Sequence, residues 1–451
     1  MSLDSECDKV KKIMRNEVAC NGSEGVEKNE EDAEGSIMLN SEDIDEKQQN
    51  TMKGDTVGDT VYSGKWIITT LISLSKVYEN GWNDDLESDL CMLWDMTADK
   101  DIVSFLMENE FLKMAEFTLK VSNEPRLTEI ILGIIGNMCC QSEVLDAVAN
   151  RTDLAKAILD LVASDDPETL IQLLRLLRTA VWDILKNRES AWSECLRASE
   201  ILGHAIVFIM ESSTNDDLLT AAMDFLQSIS ALGSLFGKLF DIARLLPALL
   251  ESFTQLIRRD EDVRPYTQTE LKIIENWLTI ISNVAQMDPF KCQNVHENEQ
   301  FRMILNVLVR ILQPYIHSYN LIPIEERSAL CIHQCVDLIS SFQRNQMYAT
   351  PEIIYVIVTI LSHLGSAMKV DIDDDIDDIE ADPDNIANEL YQYLLRFWIE
   401  TLRIYESDRV AEILQLCENT VIKQLIKISE SHVKTCHDAM EKLMQTKSLL
   451  R

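Results

Sequence analysis

Residues 125–140 read PRLTEIILGIIGNMCC, and residues 276–285 read NWLTIISNVA. Ile130–Cys139 falls on Asn276–Ala285 without a gap. Each stretch carries paired isoleucines, then a small residue, then an asparagine, Asn137 or Asn283. Leu127, Ile131, Ile134, Ile135 and Met138 recur at the spacing that puts side chains on one helical face. An internal echo of this kind in a helical setting is the signature of stacked repeats, which cannot bury their apolar faces singly.

The same periodicity continues in both directions. Upstream, Trp66, Ile67, Thr70, Leu71 and Leu74 keep helical spacing. Downstream, Asp166-Pro167-Glu168 reads as an N-cap followed by proline in the first turn, with Leu170, Leu173, Leu174 and Leu177 behind it. Thr350-Pro351-Glu352 has the same form before Ile353–Leu364. Ile353–Leu361 is β-branched enough for a strand, but its length and setting predict a buried helix. Leu390, Leu394, Phe397, Trp398 and Leu402 extend the pattern over 384–405. Only 13 glycines and 9 prolines serve 451 residues, too few for the turns of an all-β fold. The expected fold is all-α: an armadillo/HEAT-like right-handed helical solenoid over 60–451, divided into roughly nine units of about 42 residues. Residues 1–59 are polar and acidic without apolar periodicity, which predicts a disordered tail.

Lysine and arginine number 41 against 76 aspartate and glutamate, a formal net charge of −35. Such a field repels a phosphate backbone and argues against general nucleic-acid binding; it favours protein partners with basic or extended segments. No apolar run reaches the ~20 residues that cross a bilayer, and the N-terminus shows no secretory h-region, so no membrane association is expected. The 11 cysteines are scattered, as reduced thiols in a core would be.

Sites for chemistry are sparse. Val370–Asp384 holds nine acidic residues and no basic one, and reads as a solvated loop. Asp371, Asp373 and Asp375 open like a calcium loop, but Ile376 stands where the turn needs glycine and Asp382 where a longer glutamate is usual. Cys331 and Cys335 share a helical face from which His333 points away. Cys292 with His296, and His432 with Cys436, are half-sites for zinc with no second half nearby. Adjacent Cys139 and Cys140 cannot both face one core, so one of them should be accessible. The reading names no catalytic residue, metal or cofactor, and the expected protein is not an enzyme. The polar stripes of the echoing helices are the candidate partner-binding residues: Glu129 and Asn137 beside Gly133 and Gly136, then Asn276, Thr279, Asn283 and Gln286. Two glycines inside a helix cost roughly 1 kcal/mol each, so a close neighbour, either another helix or a partner, should offset them.

Four blocks carry a family resemblance: DTVYSGKW (59–66), LCMLWDMTADKDIVSFL (90–106), PRLTEIILGIIGNMCC (125–140) and FIMESSTNDDLL (208–219). In order and spacing they resemble the serum amyloid A-like proteins, an animal family named for synoviocyte proliferation in arthritis. The resemblance implies an armadillo-type fold and a non-enzymatic protein of the nucleus, and also of the cytoplasm, linked to promoting cell proliferation. It implies no catalytic residue. On this reading the chain is a protein-binding scaffold or adaptor, with a transport-receptor-like carrier for basic cargo, or a metal-binding protein, as the alternatives.

Overall fold

The structure, a computed structural model, describes residues 55–258, 264–287, 299–367 and 383–431. Among them there is no β-strand, only a bridge between Thr56 and Ser63. The chain opens with α1 (Gly64–Ser75), α2 (Val77–Asn80) and α3 (Asp84–Met96). Four three-helix units follow. They are α4 (Lys100–Glu108), α5 (Phe111–Val121) and α6 (Pro125–Met138); then α7 (Ser142–Asn150), α8 (Thr152–Asp160) and α9 (Pro167–Lys186). Next come α10 (Trp192–Ala198), α11 (Leu202–Ser212) and α12 (Asp216–Ser230); then α13 (Gly233–Leu239), α14 (Ile242–Leu256) and α15 (Gln268–Ala285). Beyond them lie α16 (Glu299–Leu312), α17 (Ser318–Leu321), α18 (Glu326–Arg344), α19 (Pro351–Ala367), α20 (Pro383–Ile404), α21 (Ser407–Gln415) and α22 (Asn419–Ser431).

Like elements of successive units stack. The long helices α3, α6, α9, α12, α15, α18 and α20 form one row, each packed on the next. The middle helices α11, α14, α16 and α19 form a second row, and short α7, α10 and α13 a third. This is an all-α solenoid of the armadillo/HEAT kind. The long helices begin at 125, 167, 216, 268, 326 and 383, so the repeat widens from 42 residues to 58. Division by a constant ~42-residue period therefore overcounts the units, because the later connections are longer.

Local chemistry explains the helix starts. Asp166 accepts from the Thr169 N–H at 2.9 Å with Pro167 in the first turn, as its sequence predicts. Ser63, Asn83 and Asn215 cap α1, α3 and α12 in the same manner. The 353–361 stretch lies inside α19, with Ile353, Ile354, Ile357, Val358, Ile360 and Leu361 all fully buried. β-branched side chains there fill the space between helix rows. Trp192 ties two units together, its indole N–H donating to Leu145 O at 3.1 Å.

The expected tail boundary at 59/60 falls inside a built turn. Val57 is buried, the Thr60 hydroxyl donates to Val57 O at 2.6 Å, and the Asp59 N–H donates to Asp101 Oδ2 at 3.0 Å. Gly58 has φ +54°, and a Cβ there would meet the Asp101 carboxylate, so only glycine suits the turn. Most of the expected tail (1–54), most of the acidic loop (368–382), and the Cys292/His296 and His432/Cys436 pairs lie outside the described residues.

Helix α15 starts with a full capping box. Thr267 Oγ1 accepts from the Glu270 N–H at 3.2 Å, and Glu270 Oε2 accepts from the Thr267 N–H at 2.7 Å. Arg264 adds two hydrogen bonds to the same carboxylate, at 2.8 and 2.7 Å. Burial alone would raise the Glu270 pKa, but the bonds from Arg264 and Thr267 outweigh it and hold the group at about 2. A depressed folded pKa stabilises the protein above the unfolded value of about 4.3 and loses that contribution as pH falls towards 2. Glu270→Gln is therefore expected to lower the melting temperature at pH 7, by about 1 kcal/mol of stability. The gap from wild type should close between about pH 4.5 and pH 2 in thermal melts. A gap unchanged over that interval would contradict the assignment.

Candidate functional site: the polar face of the long-helix row

The long helices bury one side in the core and turn the other outwards. On α9, Leu170, Leu173, Leu174, Leu177, Ala180 and Val181 are buried, whereas Glu168, Arg175 and Lys186 are exposed and Arg178 and Trp182 half-buried. The spacing of Arg175, Arg178, Trp182 and Lys186 follows from the 3.6-residue turn. Corresponding stripes on successive helices make one polar face.

That face is tied across each of its junctions from α3 to α20. Between α3 and α6, Arg126 donates to Glu87 at 2.8 Å and to Glu129, on its own helix, at 2.7 Å. The Asn137 amide donates to Trp94 O at 3.2 Å and to Thr97 Oγ1 at 3.1 Å. From the other side the Arg175 guanidinium on α9 donates to Asn137 Oδ1. Arg178 reaches Asp224 on α12 at 3.0 Å. Asp224 also accepts from Asn276 on α15 at 2.6 Å and pairs with Lys272 at 3.6 Å. Asn283 donates to Ser230 Oγ at 2.8 Å. Arg327 on α18 lies 3.7 Å from Glu275, and Gln268 donates to Glu325, just before α18, at 2.7 Å. Tyr393 on α20 donates to Asp337, with His333 stacked on its ring at 3.8 Å between centroids.

The sequence-based site residues therefore share one face but differ in state. Glu129 is buried and paired with Arg126. Asn137, Asn276 and Asn283 are half-buried, and their amides bridge neighbouring helices. Thr279 is half-buried and donates to Glu275 O within its own helix, and Gln286 is exposed at the end of α15. Gly133 lies under the Trp94 indole, where a Cβ would come within 2.0 Å of the ring, so a neighbouring helix accounts for it. Beside Gly136 a Cβ would meet nothing within 4 Å. Arg126, Arg175, Arg178, Trp182 and Asp224 were not singled out by stripe reasoning. Arg178 and Asp224, of opposite charge and 46 residues apart, offered a signal at the repeat spacing.

Of the adjacent cysteines, Cys139 is buried and Cys140 exposed. Although Cys140 as a whole is exposed, its sulfur lies against the last turn of α6, 3.8 Å from Gly136 O, and this desolvation raises the thiol above its ordinary range against the opposing Arg175 charge. Cys331 and Cys335 are buried and His333 half-buried. Among the described residues no three His, Cys, Asp or Glu side chains are grouped to hold a metal, and no helix is long and apolar enough to cross a membrane.

No family model matches the chain. Protein saal1 of Danio rerio is 34% identical over 207 residues, 44% of this chain and 42% of that protein. Protein SAAL1 of Mus musculus is 32% identical over 213 residues, 44% and 42% respectively. Its Homo sapiens counterpart is 33% identical over 205 residues, 42% and 40%. The matched stretch thus spans about 42% of the length of the curated relatives. The resemblance to the serum amyloid A-like proteins carried by the four blocks is thereby supported by relatives of that name. Among solved structures, an engineered protein overlaps 84% of this chain and 98% of its own at TM-score 0.33 and 11% identity. A chain from a study of cadherin and beta-catenin overlaps 85% and 91% at TM-score 0.31 and 10% identity. Overlaps this loose carry no argument about fold or partners.

Two outcomes follow from the geometry. Gly133→Ala should destabilise the protein despite the gain of about 1 kcal/mol in helix propensity, because Trp94 must move. Combining it with Trp94→Ala should give less than the sum of the two losses in chemical denaturation; strict additivity would refute the contact. Asp224→Ala leaves Arg178, Lys272 and Asn276 without their shared acceptor. It should cost no more than about 1 kcal/mol, read from the denaturation midpoint, because both cations are part-exposed and water can take the place of the carboxylate.

Proposed function

We propose that this chain, akin in sequence to the serum amyloid A-like 1 proteins, is a non-enzymatic scaffold that binds protein partners along the polar face of its long-helix row. The observation that carries this reading is the continuity of that face. Seven helices present outward stripes of polar and charged side chains, and ties between neighbours hold the stripes in fixed register. A row of evenly spaced, pre-ordered groups suits a partner segment that engages several repeats at once, because few side chains then lose freedom on binding. Glu129, Asn137, Asn276, Thr279, Asn283 and Gln286 belong to this surface, as do Arg175 and Trp182. The asymmetry of the network sharpens their roles: the asparagines order the surface, and the more exposed side chains between them meet the partner. In keeping with the family resemblance, the role is in promoting cell proliferation, acting in the nucleus and also in the cytoplasm.

Position-specific cross-linking tests the reading. A photoreactive amino acid at Gln227 or Thr220, on the outward stripe of α12, should trap partner proteins in nuclear extract. The same group at Phe208, 67% exposed on middle-row helix α11, should trap far less. Equal trapping at the two faces, or trapping at Phe208 alone, would refute the assignment.

A further inference from the structure

The net charge of −35 suggests a basic partner, but charge is unevenly spread along the long-helix row: α6, α15, α18 and α20 carry both signs, whereas α3 and α12 are purely acidic. Helix α3 carries Asp84, Asp85, Glu87, Asp89 and Asp95 and no basic residue. Helix α12 carries Asp216, Asp217 and Asp224 and again no basic residue. Helix α9 differs. It has Arg175, Arg178 and Lys186 against Glu168 in its first turn and Asp183, and exposed Arg188 and Glu189 follow it. Its basic side chains lie on the outward stripe. Trp182 sits among them half-buried, with the Lys186 ammonium 3.2 Å from the ring centroid. A lysine stacked on an indole holds a cation beside an apolar surface, where it can face an incoming anion.

We infer that the α9 stripe, Arg175–Trp182–Lys186, is a docking site for an acidic protein segment with an apolar side chain between its carboxylates. The inference rests on the scaffold reading and names the partner's chemistry at one part of that face. The backbone positions of Arg175 and Lys186 are roughly 16 Å apart along the helix axis, and the Lys186 ammonium reaches back over the Trp182 ring, which brings the two charges closer than that. Carboxylates pair with Arg175, in addition to its bonds to Asn137 and Gln172, and with the Lys186 ammonium, and the apolar side chain packs at the edge of the lysine-capped indole. Arg178 is held by Asp224 at 3.0 Å and fixes the strip against α12. The acidic α12 stripe repels any carboxylates that stray past α9, so the surrounding negative field sets the register of the partner. A lysine-rich segment meets the opposite pattern, with repulsion on α9 and attraction on α12.

The test uses the full chain and three labelled probes in fluorescence anisotropy. They are a 15-residue peptide of Glu-Glu-Leu triplets, its Lys-Lys-Leu counterpart, and a single-stranded RNA 15-mer. The Glu peptide should bind tightest and weaken with added salt. Arg175→Glu and Lys186→Glu should each weaken it at least tenfold, and Trp182→Ala several-fold, each measured well below the variant's own melting temperature. Lys156→Glu makes the same change in net charge on exposed α8, outside the long-helix row, and should leave binding within twofold of wild type. Tighter binding of the Lys peptide or the RNA, or no binding of the Glu peptide at millimolar concentration, would overturn the inference. Equal losses in Lys156→Glu and Lys186→Glu would do so as well, since net charge alone would then explain binding. Cross-linking at Gln227 that survives any of these results leaves the scaffold reading standing and removes only the acidic partner.

Discussion

Each long helix has an apolar side too broad to bury within its own unit, and that need for a neighbour organises the molecule. Leu173, Leu174, Leu177, Ala180 and Val181 of α9 are fully buried because α6 lies on one side and α12 on the other. The hydrophobic contribution, about 25 cal/mol per Å² of apolar surface removed from water, is realised only when units stack. Stacking then brings the outward stripes within hydrogen-bonding reach of one another. The polar face follows from the apolar one.

The ties on that face add order more than bulk stability. Half-exposed ion pairs such as Arg178–Asp224 contribute little net free energy in water, since solvent and salt screen them. Their directional geometry fixes the rotation of one helix relative to the next. Asn137 shows this most clearly, for its amide donates to α3 and the residue that follows it while its carbonyl accepts from α9. Under the proposed scaffold function, a surface held in this way has little ordering left to do on binding.

The fold was legible in the sequence because its signals are local. Apolar spacing, the Asp166-Pro167 start and the echo between Ile130–Cys139 and Asn276–Ala285 all lie within single helices. The candidate site was only half legible. Helical spacing puts Asn137, Asn276 and Asn283 on the polar side of their helices, where they are found half-buried, but it does not reveal that neighbouring helices engage their amides. That depends on the offset between repeats, and the repeat widens along the chain. Gly133 was recognised as needing a close neighbour, yet its partner Trp94 lies on a different helix, 39 positions away. The net charge is a sum and does not show where charge lies, with three basic side chains on the outward stripe of α9 and only acidic charges on α3 and α12.

The position of Asp224 bears on how such a sequence can change over evolutionary time. One carboxylate serves Arg178 from the preceding unit and both Lys272 and Asn276 from the following one. A drift to a neutral residue there removes the anion that lies between Arg178 and Lys272 and the acceptor of Asn276 at one stroke. The tolerance for change at 178, 272 and 276, spread with 224 over 99 residues of chain, therefore depends on what stands at 224.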